Sequence, residues 1–218
     1  MPDHAVIGYV TGGFNRHEFT ASLISTVMEG RTPLDAVIVL EWGPNISTAR
    51  NKIADDFLTR PTPWLLMVDT DMVFAGDALD RLIAAADPVR RPVVGGLCYS
   101  PLPGGGGDAP TMYELVDKGA GRIGFARPGT VPDDQVVRVS ATGTGFLLIH
   151  RSVLERVRDA SGDVAAPWFR ETAVGEPLSL MGEDLTFCLR CAAAGIPVHV
   201  HTGVQVGHMK PVMLGKVT

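Results

Sequence analysis

Apolar positions change their spacing from segment to segment along the chain, and each spacing predicts an element. Ala5–Val10 and Ala36–Leu40 are short apolar runs, the pattern of strands buried on both faces. Between them, Phe19–Met28 sets Leu23 and Val27, and Ile24 and Met28, at helical spacing. A second helix is predicted over Ser47–Leu58, with Ile46, Ala49, Ile53 and Phe57 along one face. Ser47 or Asn45 would cap it, and Pro61 and Pro63 prevent its continuation. Trp64–Val68 is the most strongly apolar strand candidate. Asp77 then caps a third helix through Leu79, Leu82 and Ile83, and Val93–Leu97 forms a fourth strand. Strand–helix alternation with short connections implies right-handed crossovers and a mainly parallel sheet.

Further on the pattern loosens. Leu102–Ala109 contains four successive glycines, Gly104–Gly107, and predicts a mobile loop, while Gly119–Asp134 reads as an irregular excursion or hairpin. Extended segments return at Val136–Ser140 and Gly145–Ile149. A helix follows from Ser152, where Ser152 and Glu155 fit a capping box. A last helix is predicted over Glu183–Ala194, ended by Gly195 and Pro197, with Val198–Val206 extended after it. No internal repeat is visible.

Composition narrows the class. At 218 residues the chain can bury a sizeable core, and one domain is the simplest expectation. A net charge of −5 argues against passive capture of nucleic acid by charge alone. A local basic rim around Arg90-Arg91 or Arg151, Arg156 and Arg158 remains, most simply read as solvated surface. Neither a secretory signal nor an apolar stretch of membrane-spanning length is seen, so a cytoplasmic place is expected. Three cysteines, Cys98, Cys188 and Cys191, are too few for a disulfide framework and suit a reducing compartment. The Cys188–Cys191 pair reads as buried helical thiols rather than half a zinc site.

Chemistry enters where Asp69 and Asp71 follow the Trp64–Val68 strand at its carboxyl end. In open α/β sheets that edge lines the ligand crevice. Two carboxylates there suit Mg²⁺ or Mn²⁺ bridging protein oxygens and a diphosphate, although capping the next turn is the plainer role. Gly182-Glu183-Asp184 opens the last helix, whose N-terminus favours an ionised carboxylate able to accept a proton. His208 follows the last strand and could complete a metal site with Asp71, with His199 and His201 as a rival pair.

Taken in order, these segments resemble the nucleotide-sugar glycosyltransferases of the GT-A fold, close in layout to the large family 2 group. The match comprises N-I-S-T-A-R-N at Asn45–Asn51, W-L-L-M-V-D-T-D at Trp64–Asp71 and T-G-T-G-F-L-L-I at Thr142–Ile149. It continues with G-E-D-L at Gly182–Leu185 and V-G-H at Val206–His208. The resemblance implies a Rossmann-like, mainly parallel sheet flanked by helices, with a small mixed or antiparallel acceptor-side part. It implies one domain over residues 1–218, nucleotide-binding to about residue 100 and acceptor-binding and catalytic thereafter. By resemblance Asp69, Thr70 and Asp71 face the donor, and Asp71, His208 and Asp69 hold Mn²⁺ or Mg²⁺. By resemblance too, Asp184 is the general base of an inverting transfer, with Glu183 orienting the acceptor or the base. Thr11, Gly12, Glu41, Arg50 and Asn51 approach the nucleotide of a UDP- or GDP-sugar, while Gly143, Gly145 and Trp168 lie on the acceptor side. Trp168-Phe169 is a candidate stacking wall or, equally, core.

Two departures stand out. Relatives carry an Asp-rich turn after the second strand, where this chain has Glu41-Trp42-Gly43-Pro44. Glu41 would replace the base-reading acid, with Trp42 free to stack. The chain also stops soon after His208, as in small transferases of bacteria and phages, so a bacterial or phage-infected cytoplasm is expected. The acceptor stays open among a glycan, a protein, a modified DNA base and a small molecule. A sugar-nucleotide pyrophosphorylase and a non-catalytic nucleotide-sugar-binding module are the alternatives. Thr11-Gly12-Gly13-Phe14 lacks the basic residue of the pyrophosphorylase loop.

Overall fold

The computed structural model of the chain describes residues 3–41, 45–102, 106–119, 122–173 and 180–210. Its first half alternates as the apolar pattern predicts. The order is β1 (Ala5–Thr11), α1 (His17–Glu29), β2 (Leu34–Glu41), α2 (Ile46–Leu58), β3 (Trp64–Asp69), the short β4 (Met72–Val73), α3 (Ala78–Ala85) and β5 (Val93–Pro101). The second half adds β6 (Asp108–Pro110), β7 (Met112–Gly119), β8 (Arg122–Ala126), β9 (Val136–Val139), β10 (Ala141–Thr142) and β11 (Phe146–His150). After these come α4 (Arg151–Ser161), β12 (Thr172–Ala173), β13 (Leu180–Met181), α5 (Glu183–Ala193) and β14 (Val198–His208).

Among the described residues nine strands join one sheet along the path β2-β1-β3-β11-β5-β14-β4, with β6 on β5 and β9 on β14. β1 is parallel to β2 and β3, and β5 is parallel to β14. β11 runs antiparallel to both β3 and β5. Five strands, β2, β1, β3, β5 and β14, therefore run in one direction as a mainly parallel centre, with β11 of the second half set antiparallel between two strands of the first and β4, β6 and β9 antiparallel at its margins.

Both faces of β3 are buried, which is why its sequence is apolar without alternation. Leu65 and Met67 join one core with Ile53 and Phe57 of α2, Val157 of α4 and Phe187 of α5. Trp64, Leu66 and Val68 join the other with Phe19, Phe74, Leu79 and Leu82. Cys188 and Cys191 are buried in α5, and burial pushes the Cys188 thiol up to about 12.

Several local expectations are refined. Asn45, not Ser47, caps α2, its Oδ1 accepting from the Ser47 amide at 2.7 Å. Asp77 stands at the α3 cap position without a side-chain bond to the helix. The Ser152/Glu155 capping box does not form. α4 already begins at Arg151, the His150 ring accepts from the Ser152 amide, and Glu155 pairs with Arg151. Arg151 donates to the Arg60 and Thr62 carbonyls and Arg156 to the Ala194 carbonyl, so these cations staple elements together. The excursion after Gly119 contains an ordered strand, β8, paired antiparallel with β7. Trp42, Gly43, Pro44, Gly104 and Gly105 lie outside the described residues. No helix among the described residues is long and apolar enough to cross a membrane.

Asp163 ties the segment after α4 to α5. Its carboxylate accepts from Arg170 at 2.9 Å, Arg190 at 3.1 Å and the Ala166 amide at 3.1 Å. These bonds, the one from Arg170 foremost, hold it down to about 2. A carboxyl lowered on folding stabilises above its unfolded value, and that contribution fades as pH falls through the folded value. Asp163→Asn is accordingly expected to lose about 1–2 kcal/mol at neutral pH. The deficit should shrink steeply as denaturant titrations are carried down through about pH 2.

Candidate functional site at the carboxyl edge of the sheet

Register places the predicted donor residues on one edge. Thr11 pairs with Glu41 across β1 and β2, and Val10 pairs with Asp69 across β1 and β3. Gly12 follows Thr11 directly, exposed at the same edge, and the Thr11 hydroxyl accepts from the Gly13 amide at 3.2 Å. The Asp69 amide donates to the Gly145 carbonyl at 2.9 Å, so the T-G-T-G segment runs beside the first acid. Glycine at 145 lets the two segments approach without displacing the end of the Met72 side chain. A Cβ would stand 2.5 Å from Met72 Cε and 3.2 Å from Asp69 Oδ2.

Beyond the half-buried Thr70 turn, β4 pairs Met72 with His208, which carries the end of β14 to Asp71. His208 Nε2 lies 3.1 Å from Asp71 Oδ2, while Nδ1 lies 2.8 Å from the Tyr99 carbonyl. Since a carbonyl can only accept, Nδ1 carries a proton and Nε2 is aimed at the acid. Lys210 donates to the same Asp71 oxygen at 2.8 Å. Burial alone would raise the Asp71 carboxyl, but the bonds from His208 and Lys210 outweigh it and bring it down to about 2. The hydrogen bond with Asp71 in turn raises His208. Lys210 escaped the sequence reading. The only hint was its position two residues beyond His208, which in extended chain puts both side chains on one side.

Arg50 does not present itself to solvent. Its residue is 4% exposed, and its guanidinium donates to Asp69 Oδ1 at 2.7 Å and to Glu183 Oε1. Burial opposes its charge, yet Asp69 and Glu183 prevail and its pKa is raised. Asn51 must be corrected as a donor contact. Its amide bonds the Ser47 and Phe169 carbonyls and accepts from the Trp168 and Phe169 amides, so it locks α2 to the segment beneath it.

Asp184 stands at the start of α5, where Oδ1 accepts from the Leu185 amide at 2.8 Å. Burial first, then the neighbouring Glu183 charge, hold it above the usual carboxylate range, the direction a general base needs. A Cβ on Gly143 would lie 3.7 Å from Asp184 Oδ2 and 3.7 Å from Thr111, so its absence leaves room beside the base. Trp168 must also be corrected. It is fully buried and its indole donates to the Leu154 carbonyl at 2.7 Å, so it is core and forms no stacking wall. Of the rival pair, His199 is buried beside Val94, where β5 and β14 begin, and His201 lies near Asp134. Neither joins the acids, because the intervening strand carries His208 to the opposite end.

Among the described residues no three His, Cys, Asp or Glu side chains gather into a metal site. Asp71 and His208 do meet, whereas Asp69 turns one oxygen to Arg50. Asp71 and His208 would offer one oxygen and one imidazole nitrogen, a set that suits Mn²⁺ better than the harder Mg²⁺, once the Lys210 ammonium leaves the same Asp71 oxygen.

No family model matches the sequence, and no curated protein does. Solved structures share its fold. A197 from STIV superposes with a TM-score of 0.61 at 17% identity, over 95% of this chain and 86% of that one. GalNAc-T7, crystallised with UDP, GalNAc and Mn²⁺, gives 0.60 at 14% identity, over 94% of this chain and 43% of its own. This chain thus spans less than half of that enzyme. The inositol-1-phosphate CTP transferase from T. maritima gives 0.52 at 12% identity, over 96% and 90%. At these identities the likeness is one of fold, and the fold is GT-A-like.

Proposed function

We propose that this chain is a metal-dependent glycosyltransferase that moves a sugar from a UDP- or GDP-sugar to an acceptor hydroxyl with inversion. The observation that carries the reading is the gathering at one sheet edge of Asp69, the Asp71–His208 pair and Glu183-Asp184. These come from β3, the turn after it, β14 and α5. A GT-A-like neighbour crystallised with UDP and Mn²⁺ supports it. Asp71 and His208 would hold Mn²⁺ or Mg²⁺, which as a Lewis acid offsets charge on the departing diphosphate. Thr11, Gly12 and Glu41 line the edge where the nucleoside would lie. Asp184 takes the proton of the acceptor hydroxyl as its oxygen attacks the anomeric carbon, and Gly143 leaves space for that hydroxyl. Screening glycans, proteins and modified DNA bases would assign the acceptor, which fold leaves open. Three buried thiols fit a cytoplasmic setting.

Nucleotidyl transfer is the second reading, favoured by the CTP transferase neighbour. Against it, Thr11-Gly12-Gly13-Phe14 offers no cation to a triphosphate. Thermal shifts with nucleotide sugars, each with and without Mn²⁺, separate the two readings. A donor at a hundred times its Kd stabilises by about 2.7 kcal/mol. The expected result is a Mn²⁺-dependent shift with one UDP- or GDP-sugar that Asp71→Ala abolishes. Shifts with CTP or another triphosphate alone would reverse the ranking.

A further inference from the structure

We propose that Arg50 and Glu183 form a positioning clamp that ties the start of α5 to Asp69 on β3 and takes Glu183 out of proton transfer, leaving Asp184 as the acting base. The inference rests on the transferase reading for the roles of Asp69 and Asp184, but its geometry stands apart from that reading.

One guanidinium serves two carboxylates from different elements. Nη2 donates to Asp69 and Nη1 to Glu183. The rigid fork suits this double duty, whereas a lysine ammonium is a single point charge on a flexible stem. The Glu183 side chain is 14% exposed, so the clamp sits largely out of water. Its base is firm as well. Arg50 is followed on α2 by Asn51, whose amide is bonded on both sides to the Trp168-Phe169 backbone. Position therefore passes from the core, through α2 and Arg50, to both acids. Glu183 and Asp184 are adjacent yet differently engaged. Glu183 reaches Arg50, while Asp184 Oδ2 lies on the side that Gly143 leaves open. The two bonds of Arg50 thus link the Asp69 carboxylate on β3 to the first residue of the helix that bears the base.

The test is Mn²⁺-dependent release of UDP or GDP from UDP-glucose, UDP-N-acetylglucosamine and GDP-mannose by the intact chain, with water as acceptor. Glu183→Gln keeps an oxygen that accepts from Arg50 but has no basic carboxylate, whereas Glu183→Ala keeps neither. With the clamp, E183Q loses part of kcat, because Asp184 is deprived of the neighbouring charge but keeps its position, and E183A falls about tenfold further, with donor KM little changed in both. A loss in E183Q as deep as in E183A would make Glu183 itself the proton acceptor and overturn the proposal. Parental turnover in E183A would do so too. If the parent chain releases nucleotide from none of the three donors, it is the transferase reading that fails. The clamp is then judged by melting Arg50→Met, Glu183→Ala and the double variant. Losses that do not add support it, and additive losses overturn it. Should R50M fail to fold, R50K takes its place in the cycle.

Discussion

Asp184→Asn is expected to lower turnover of the nucleotide sugar by about two to four orders of magnitude while leaving Mn²⁺-dependent donor binding intact. The amide keeps the size of the carboxylate and can still accept from the Leu185 amide, so the helix start should survive. What it loses is the ability to take a proton. Burial and the Glu183 charge raise the Asp184 carboxyl, so turnover in the parent should fall as pH drops through a value above the ordinary carboxylate range. Steady-state kinetics together with a donor thermal shift check both halves of the expectation. Unchanged kcat with saturating donor would remove Asp184 from the chemistry.

Trp168→Ala is expected to destabilise the fold by about 3–5 kcal/mol, measured by urea denaturation. The indole is fully buried, and its Nε1 donates to Leu154 in α4. Truncation leaves a large void and removes the indole bond to Leu154 together. A further effect falls on Asn51, whose side-chain oxygen accepts from the amides of Trp168 and Phe169. Any shift of that backbone loosens α2 and, with it, Arg50. The variant should lose activity out of proportion to its folded fraction, which activity at low temperature would expose. A loss of less than about 1 kcal/mol would mean that the site collapses around the void.

These two residues also mark what the sequence made legible. The apolar runs and helical spacings gave the alternation of the first half, because burial on both faces leaves an unbroken apolar signature. The position of Asp69 at the end of such a run placed it at the sheet edge. Trp168 was ambiguous because an aromatic beside a functional segment looks the same whether it faces ligand or core. Asn51 sits next to Arg50, and neighbours on a helix diverge by about 100°. One reaches the acids and the other the core, a division that only packing reveals. The Arg50–Glu183 contact joins residues 133 apart in sequence, and nothing local announces it. The capping box failed for a related reason. Arg151, anchored on distant carbonyls, draws the helix start forward past Ser152.

The placement of β11 has a consequence for the order in which the molecule comes into being. β1, β2 and β3 leave the ribosome early, yet β3 finds its second neighbour only when residues 146–150 arrive. At ordinary synthesis rates that wait is on the order of ten seconds. Throughout it the nascent chain carries an apolar strand with one open side, the kind of edge that recruits other chains. Asp69, at the end of β3, is thus made well before the strand that completes the framework around it.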